Sequence, residues 1–384
     1  MKILYVTTIS STINAFLVSH IEYLINQGHT VDIATNITDD ISHKLIEREV
    51  RVFQVEFQRN PFNIKNKKAY NEIKKIQEEE KYDIVHVHTP VASFVSRLAL
   101  RKEKNLKIIY TCHGFHFYKG SSLINWVLFY PLEKIAAKWT DALVTINSED
   151  FELASNFKLR GSGQVSKIHG VGIEKDKYVA VNFDRQAYRR MLGISNDDFV
   201  ILVLAELNKN KNHIQLIKAM KILKEKYPNI KAIFAGTGPL EEEIKNQIKQ
   251  NNLEDKVSLI GWRNDVKELI NLSDVVGLFS KREGLGKCLL EAMICGKCVM
   301  STNTRGPREL IQNNENGFMF EIGDIKSTAN AIEKIYTDER CRSKFENNVV
   351  YTADKYLLGN VLNELDSIYE DLYIDKTKLV GETI

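Results

Sequence analysis

The strongest constraint on the fold is a change of period that recurs along the chain. Residues 3–8, 30–35, 50–57, 83–88, 107–112 and 142–146 are short apolar runs that read as strands. Between them, residues 14–26, 41–49, 65–81, 92–101 and 123–139 carry apolar side chains at helical spacing, with Pro131 interrupting the last. Runs without polar alternation belong to strands buried on both faces. The rhythm therefore predicts an α/β protein whose parallel sheet is covered by helices on both sides.

The pattern loosens over residues 161–196, where Gly161, Gly163, Gly170 and Gly172 cluster, and then restarts. Strands are predicted at 199–205, 230–235, 257–260, 275–280 and 299–302, with helices at 212–227, 240–250 and 266–272. A chain of 384 residues is long enough for two such cores. The expected division is a first domain over 1–180, a second over 181–354, and a closing segment over 355–384. That segment holds an amphipathic helix expected to pack back on the first domain. Both domains are expected to be doubly wound and Rossmann-like, facing a central cleft. Ligands of such sheets bind beyond the carboxyl ends of the strands.

Composition narrows the partners. A net charge of +3 gives no argument for nucleic acid. Five cysteines without framework spacing point to a reducing compartment, and Cys295 and Cys298 read as core packing. The opening Met1 to Thr8 reads as a strand, not a secretory leader. No run approaches the roughly 20 apolar residues of a membrane span. Basic residues crowd 59–75 and 97–107, and the segment 123–132 is very apolar. Each has two readings: a solvated helix face or contact with anionic lipid for the first two, burial or a lipid-facing surface for the third.

The chemistry concentrates in Glu283-Gly-Leu-Gly-Lys-Cys-Leu-Leu-Glu291. The preceding strand, the glycine-bearing loop and a helix from about Gly286 place Gly284, Leu285, Gly286 and Lys287 at a helix N-terminus. Its unpaired N–H groups suit a phosphate. Eight residues of helical rise cover about 12 Å, close to the reach from sugar to ribose in a nucleotide sugar. A carboxylate at each end would bind hydroxyls, with the diphosphate between them. The loop Glu206-Leu-Asn-Lys209-Asn-Lys211-Asn212 adds two lysines for the diphosphate, with Asn208 or Asn212 as a helix cap. Gly236-Thr-Gly-Pro lacks the third glycine of a dinucleotide fingerprint, so it reads as a tight turn lining the nucleotide site. His113, followed by glycine at a strand end, is placed to reach a ligand. His116 is read either as a ligand contact or as a structural histidine, and His88 as facing an acceptor. No Asp-x-Asp is present to clamp a metal on the diphosphate.

On these residues the chain resembles glycosyltransferase family 4, the retaining enzymes of the GT-B fold. The likeness runs from the Lys2 strand to the last helix. Cys112-His-Gly-Phe-His-Phe-Tyr-Lys-Gly120, Thr145-Ile-Asn-Ser-Glu-Asp150 and His169-Gly-Val-Gly172 are similar to the branch that builds bacterial capsule or exopolysaccharide repeat units. The resemblance implies that Glu283 contacts the donor hexose, Glu291 the ribose, Lys211 the diphosphate and His113 the reacting centre. It sets Trp262 and Arg263 near the base. It implies a UDP-sugar donor with an N-acetylated hexosamine, an undecaprenyl-diphosphate-linked saccharide acceptor, no metal or other cofactor, and a site of action at the cytoplasmic face of the membrane. Two positions depart from the family pattern. Glu206 stands where an arginine is usual, and Ser10-Ser-Thr-Ile-Asn14 replaces a glycine pair, so Asn14 is assigned to the acceptor pocket. A nucleotide-sugar epimerase or a non-catalytic nucleotide-sugar binder are the alternatives.

Overall fold

The computed structural model describes the backbone through Gly381 and side chains through Leu372, so residues 382–384 of the expected closing segment lie outside the described residues. The chain forms two compact units, one of Met1–Val171 with Gly359–Ile384, the other of Gly172–Leu358.

The first unit is built on seven strands: β1 (Lys2–Ile9), β2 (Thr30–Asn36), β3 (Val52–Gln54), β4 (Ile84–His88), β5 (Lys107–Cys112), β6 (Ala142–Thr145) and β7 (Gln164–Lys167). Their order is β3-β2-β1-β4-β5-β6-β7, and every pairing is parallel. Ile3, Leu4, Tyr5 and Val6 are fully buried, as a central strand with helices on both faces requires. The helices bury one stripe each. Asn66–Glu80 turns Ala69, Ile73, Ile76 and Gln77 inward, an i, i+4, i+7, i+8 pattern. The last helix, Leu358–Gly381, returns to this unit and inserts Tyr369 beside His86 of β4.

The second unit repeats the plan with β8 (Phe199–Leu204), β9 (Ile230–Ala235), β10 (Val257–Leu259), β11 (Val275–Leu278), β12 (Cys298–Thr302) and β13 (Gly317–Phe320). The order is β10-β9-β8-β11-β12-β13, again all parallel. In both sheets the order reverses once, between β1 and β4 and between β8 and β11. At such a switch point adjacent loops leave in opposite directions and open a crevice for a ligand.

Strands β7 and β13 were not expected. Gln164–Lys167 has one apolar residue and lies at the sheet edge, so its sequence carries no buried-strand signal. Gly317–Phe320 is too short for a period and is recognised only through its partner β12.

Candidate active site

At the switch point of the second unit, β8 and β11 end side by side. The loop after β8 carries Glu206 to Lys211, and the loop after β11 carries Lys281 to Gly286. The two are stitched together. Lys281 N donates to Asn210 O at 2.7 Å, and Asn210 Nδ2 donates to Arg282 O at 3.0 Å. Lys211 Nζ lies 2.7 Å from Glu283 Oε2, which also accepts from Ser280 Oγ at 3.1 Å. Burial alone would lower the lysine pKa, but the acidic neighbours, Glu283 first among them, together turn the net shift upward. Lys211 is thus a fixed cation at the crevice.

Two glycines let the backbones approach this closely. Gly286 takes φ +96°, a left-handed turn that glycine adopts without strain, and caps the helix Lys287–Ile294. Gly306, from the loop after β12, packs directly on the Glu283 loop and donates its N–H to Glu283 O at 3.2 Å. A Cβ there would sit 2.5 Å from Leu285 N and 2.6 Å from Gly284 C.

Glu291 lies within the same helix and is 8% exposed. Its pKa is raised by burial, against the pull of Lys287, 3.5 Å away, and of the Tyr178 hydroxyl. Lys209 is exposed. Gly236 directly follows β9, with its N–H on Gly261 O at 2.7 Å; a Cβ there would stand 2.1 Å from Ala205 O. Arg263 is held by Asp265, with Nε at 2.7 Å from Oδ1, beside a Trp262 that is 68% exposed. Lys211, Glu283, Gly284, Leu285, Gly286 and Gly236 therefore gather at the β8–β11 crevice and the turn beside it.

Some assignments change. Asn212 takes the N-cap position of the next helix, His213–Leu223, but neither asparagine caps it through its side chain. Asn212 has φ +52° and its amide reaches Gln215, while Asn208 Oδ1 accepts from Lys211 N and Asn208 Nδ2 holds Glu206 at 2.9 Å. That hydrogen bond is where Glu206, the odd carboxylate beside a phosphate site, is engaged. His213 opens the helix fully buried, with neither ring nitrogen hydrogen-bonded, and burial with the nearby Lys211 charge lowers its pKa to about 4.

In the first unit the switch point lies between β1 and β4. A cavity of about 330 Å³ is lined there by Thr8, Ile9, Thr12, Thr89, Pro90 and Phe94, with Arg59, His116 and Phe129 also on its wall. Thr89 has φ +62°, a conformation that costs a β-branched residue strain, and its hydroxyl bonds the Thr8 hydroxyl at 2.7 Å and accepts from Thr8 N at 3.0 Å. Neither threonine stood out in the sequence. His116 stacks on Phe129, with ring centroids 4.8 Å apart.

One acceptor assignment fails on geometry, and the other falls on a side chain already engaged within its own fold. His88 is 1% exposed, and its Nδ1 is 3.2 Å from His113 Nε2, so it is covered and turned to another side chain. Asn14 spends both ends of its amide on its own fold: Nδ2 donates to Asp40 O at 2.8 Å, and Oδ1 accepts from Ser42 N at 2.9 Å. His113 is only partly buried at the end of β5, and burial, then His20, lowers its pKa to about 4.

The apolar segment is divided between core and solvent. In the helix Leu123–Ala137, Trp126, Phe129 and Tyr130 pack on the core, whereas Leu123, Ile124 and Val127 are 82%, 67% and 71% exposed. Phe62 and Ile64 are exposed as well, among exposed Arg59, Lys65 and Lys67. The other basic residues are largely spoken for. Lys68, Lys74 and Lys75 pair with Glu72, Glu78 and Glu79 one helical turn on, and Arg97 is fully buried against Glu133 at 2.7 Å. No helix among the described residues is long and apolar enough to cross a membrane.

Known proteins share this plan. The protein Alr3699/HepE of Anabaena, solved in complex with UDP and glucose, superposes with a TM-score of 0.80 at 20% identity, covering 97% of this chain and all of its own. The fold is that of the GT-B glycosyltransferases. Residues 13–158 match the model of Glycosyltransferase Family 4, and residues 184–351 that of Glycosyl transferases group 1. The putative glycosyltransferase EpsD of Bacillus subtilis is 36% identical over 378 residues, 97% of each chain. An Escherichia coli UDP-Gal:alpha-D-GlcNAc-diphosphoundecaprenol alpha-1,3-galactosyltransferase is 29% identical, covering 83% of this chain and 81% of its own. The chain belongs to glycosyltransferase family 4.

Proposed function

We propose that the protein transfers a sugar, an N-acetylated hexosamine, from a UDP-sugar to an undecaprenyl-diphosphate-linked saccharide, with retention at the anomeric carbon, in the synthesis of a bacterial capsule or exopolysaccharide. The observation that carries this reading is the Lys211–Glu283 ion pair at the β8–β11 switch point, with Glu291 buried in the helix that follows. The donor and acceptor classes are supported by the E. coli relative, whose name specifies UDP-Gal and a diphosphoundecaprenol-linked sugar.

On this reading Lys211 meets the donor diphosphate and the helix N-terminus at Lys287 supplies N–H groups to it. As the lysine turns to the phosphates it releases part of its hold on Glu283, which becomes an acceptor for sugar hydroxyls. Glu291 takes the ribose hydroxyls. The bond from the anomeric carbon to the diphosphate breaks, the acceptor hydroxyl bonds to that carbon on the same face, and its proton passes to the leaving phosphate oxygen. Lys211 and the helix end stabilise the developing charge without a metal. Arg263, Lys209 and Gly236 line the nucleotide end, His113 serves the sugar, and the Thr8–Thr89 cavity with His116 serves the acceptor. The exposed Leu123, Ile124, Val127, Phe62 and Ile64, with Arg59, Lys65 and Lys67 among them, hold the protein peripherally at the cytoplasmic membrane face.

A transfer assay with a panel of UDP-sugars and a polyprenyl-diphosphate-linked acceptor, run in the presence of a chelator, tests the reading. Transfer by the wild type and its loss in Glu283→Gln are expected. Epimerised nucleotide sugar without acceptor, or transfer at the wild-type rate by Glu283→Gln, would refute it.

A further inference from the structure

A group of aromatic and imidazole rings runs through the first unit from the last helix to the end of β5. Tyr369 OH lies 2.7 Å from His86 Nδ1 and 3.2 Å from Tyr5 OH. His86 Nε2 lies 2.7 Å from Thr111 Oγ1, so both nitrogens of His86 are held and its ring cannot turn. His88 stacks on that ring with centroids 4.2 Å apart, and on Tyr5 at 5.3 Å. Its Nδ1 then meets His113 Nε2 at 3.2 Å, while its Nε2 is buried with no hydrogen-bond partner.

Between two neutral imidazoles this contact holds one proton, and the two placements differ in what they leave behind. If His113 Nε2 donates, His88 must carry its own proton on Nε2, where it is a buried donor without an acceptor. If His88 Nδ1 donates, the buried Nε2 keeps only a lone pair. An orphaned buried N–H is the rarer arrangement, because a donor has a single bond to make and forfeits all of it. We propose that His88 is a positioning residue that donates its Nδ1–H to His113 Nε2 and so fixes His113 as the Nδ1–H tautomer. Within the transferase reading above, His113 then offers the sugar a hydrogen-bond donor and is not the base that takes the acceptor proton. The last helix contributes at one remove, because Tyr369 holds the ring on which His88 is stacked.

The tautomer is read by long-range proton–nitrogen correlation spectra of the full chain labelled with 15N-histidine at pH 7.5. His113→Asn and His88→Asn assign the signals. A pyrrole-type Nδ1 and a pyridine-type Nε2 are expected for His113, and the same pair for His88. A pyrrole-type Nε2 on His113 would overturn the proposal. These spectra need no donor or acceptor, so they decide the tautomer even if the transferase reading fails. In kinetics, asparagine can present an N–H where His88 Nδ1 stands and leucine cannot. His88→Leu is expected to lower kcat about tenfold or more with KM for the donor within about twofold, and His88→Asn to recover most of it. Equal losses in the two variants, with both folded by circular dichroism, would count against a positioning role.

Discussion

Gly306→Ala is the sharpest test of how the site is assembled. Gly306 carries no functional group, and its φ of −70° suits any residue, so the substitution adds one methyl group and no backbone strain. That methyl would sit 2.5 Å from Leu285 N and 2.6 Å from Gly284 C and Leu285 Cα. Ordinary contact begins near 3.4 Å, and the obstacle is backbone, which has no rotamer to turn away. The Glu283–Gly286 loop must therefore retreat by about 1 Å, taking Glu283 from Lys211 and Ser280. A misplacement of about 1 Å costs roughly 100-fold in rate, and overpacking costs about 1–3 kcal/mol of stability. Steady-state transfer kinetics with thermal unfolding in the same buffer separate the two effects. The expected result is a folded protein with a lowered melting temperature and kcat/KM reduced by about two orders of magnitude. Wild-type kinetics in a folded Gly306→Ala protein would refute the claim that this contact sets the position of Glu283.

Three further outcomes are expected. Lys211→Ala should weaken UDP binding by roughly 10- to 100-fold, the value of a hydrogen bond to a charged group, and unchanged affinity in calorimetry would exclude Lys211 as the diphosphate ligand. His213 gives the chain an acid sensitivity. Its pKa is lowered to about 4 in the fold against about 6.5 unfolded, so the unfolded state binds more protons between those values and stability falls as pH drops through that window. The loss reaches about 2 kcal/mol by pH 5, and urea titrations should find a smaller drop between pH 7.5 and 5 in His213→Leu. The double variant Leu123→Glu, Val127→Glu should lose flotation with vesicles containing anionic lipid while keeping its unfolding temperature, and retained flotation would dismiss this face as the contact.

Strand and helix identities were legible in the sequence because buried parallel strands and amphipathic helices each write their own period. The alternation over 3–146 and its restart at 199 were enough for two doubly wound units. Two of the four edge strands escaped, because β7 is mostly polar and β13 is short, and their pairing depends on neighbours outside any local window. Lys211 and Glu283 stood out in the sequence because each lies in a loop that follows a buried strand, where a charged side chain has few structural uses, and the fold brings the two together. His88 was misread because nothing local distinguishes a side chain turned to a ligand from one turned to a neighbour, and it found a neighbour 25 residues away.

The sequence by itself determined which elements form and which residue types reach the loop ends, since both follow from short-range period and chemistry. The tertiary structure alone decided which loops meet. Lys211 and Glu283 are 72 residues apart and are joined because β8 and β11 are neighbours in the sheet, a pairing set by the packing of whole layers. The same packing brings Gly306 against the Glu283 loop and Tyr369 under His86, contacts whose only requirement on the sequence is a missing Cβ in one case and a buried hydroxyl in the other.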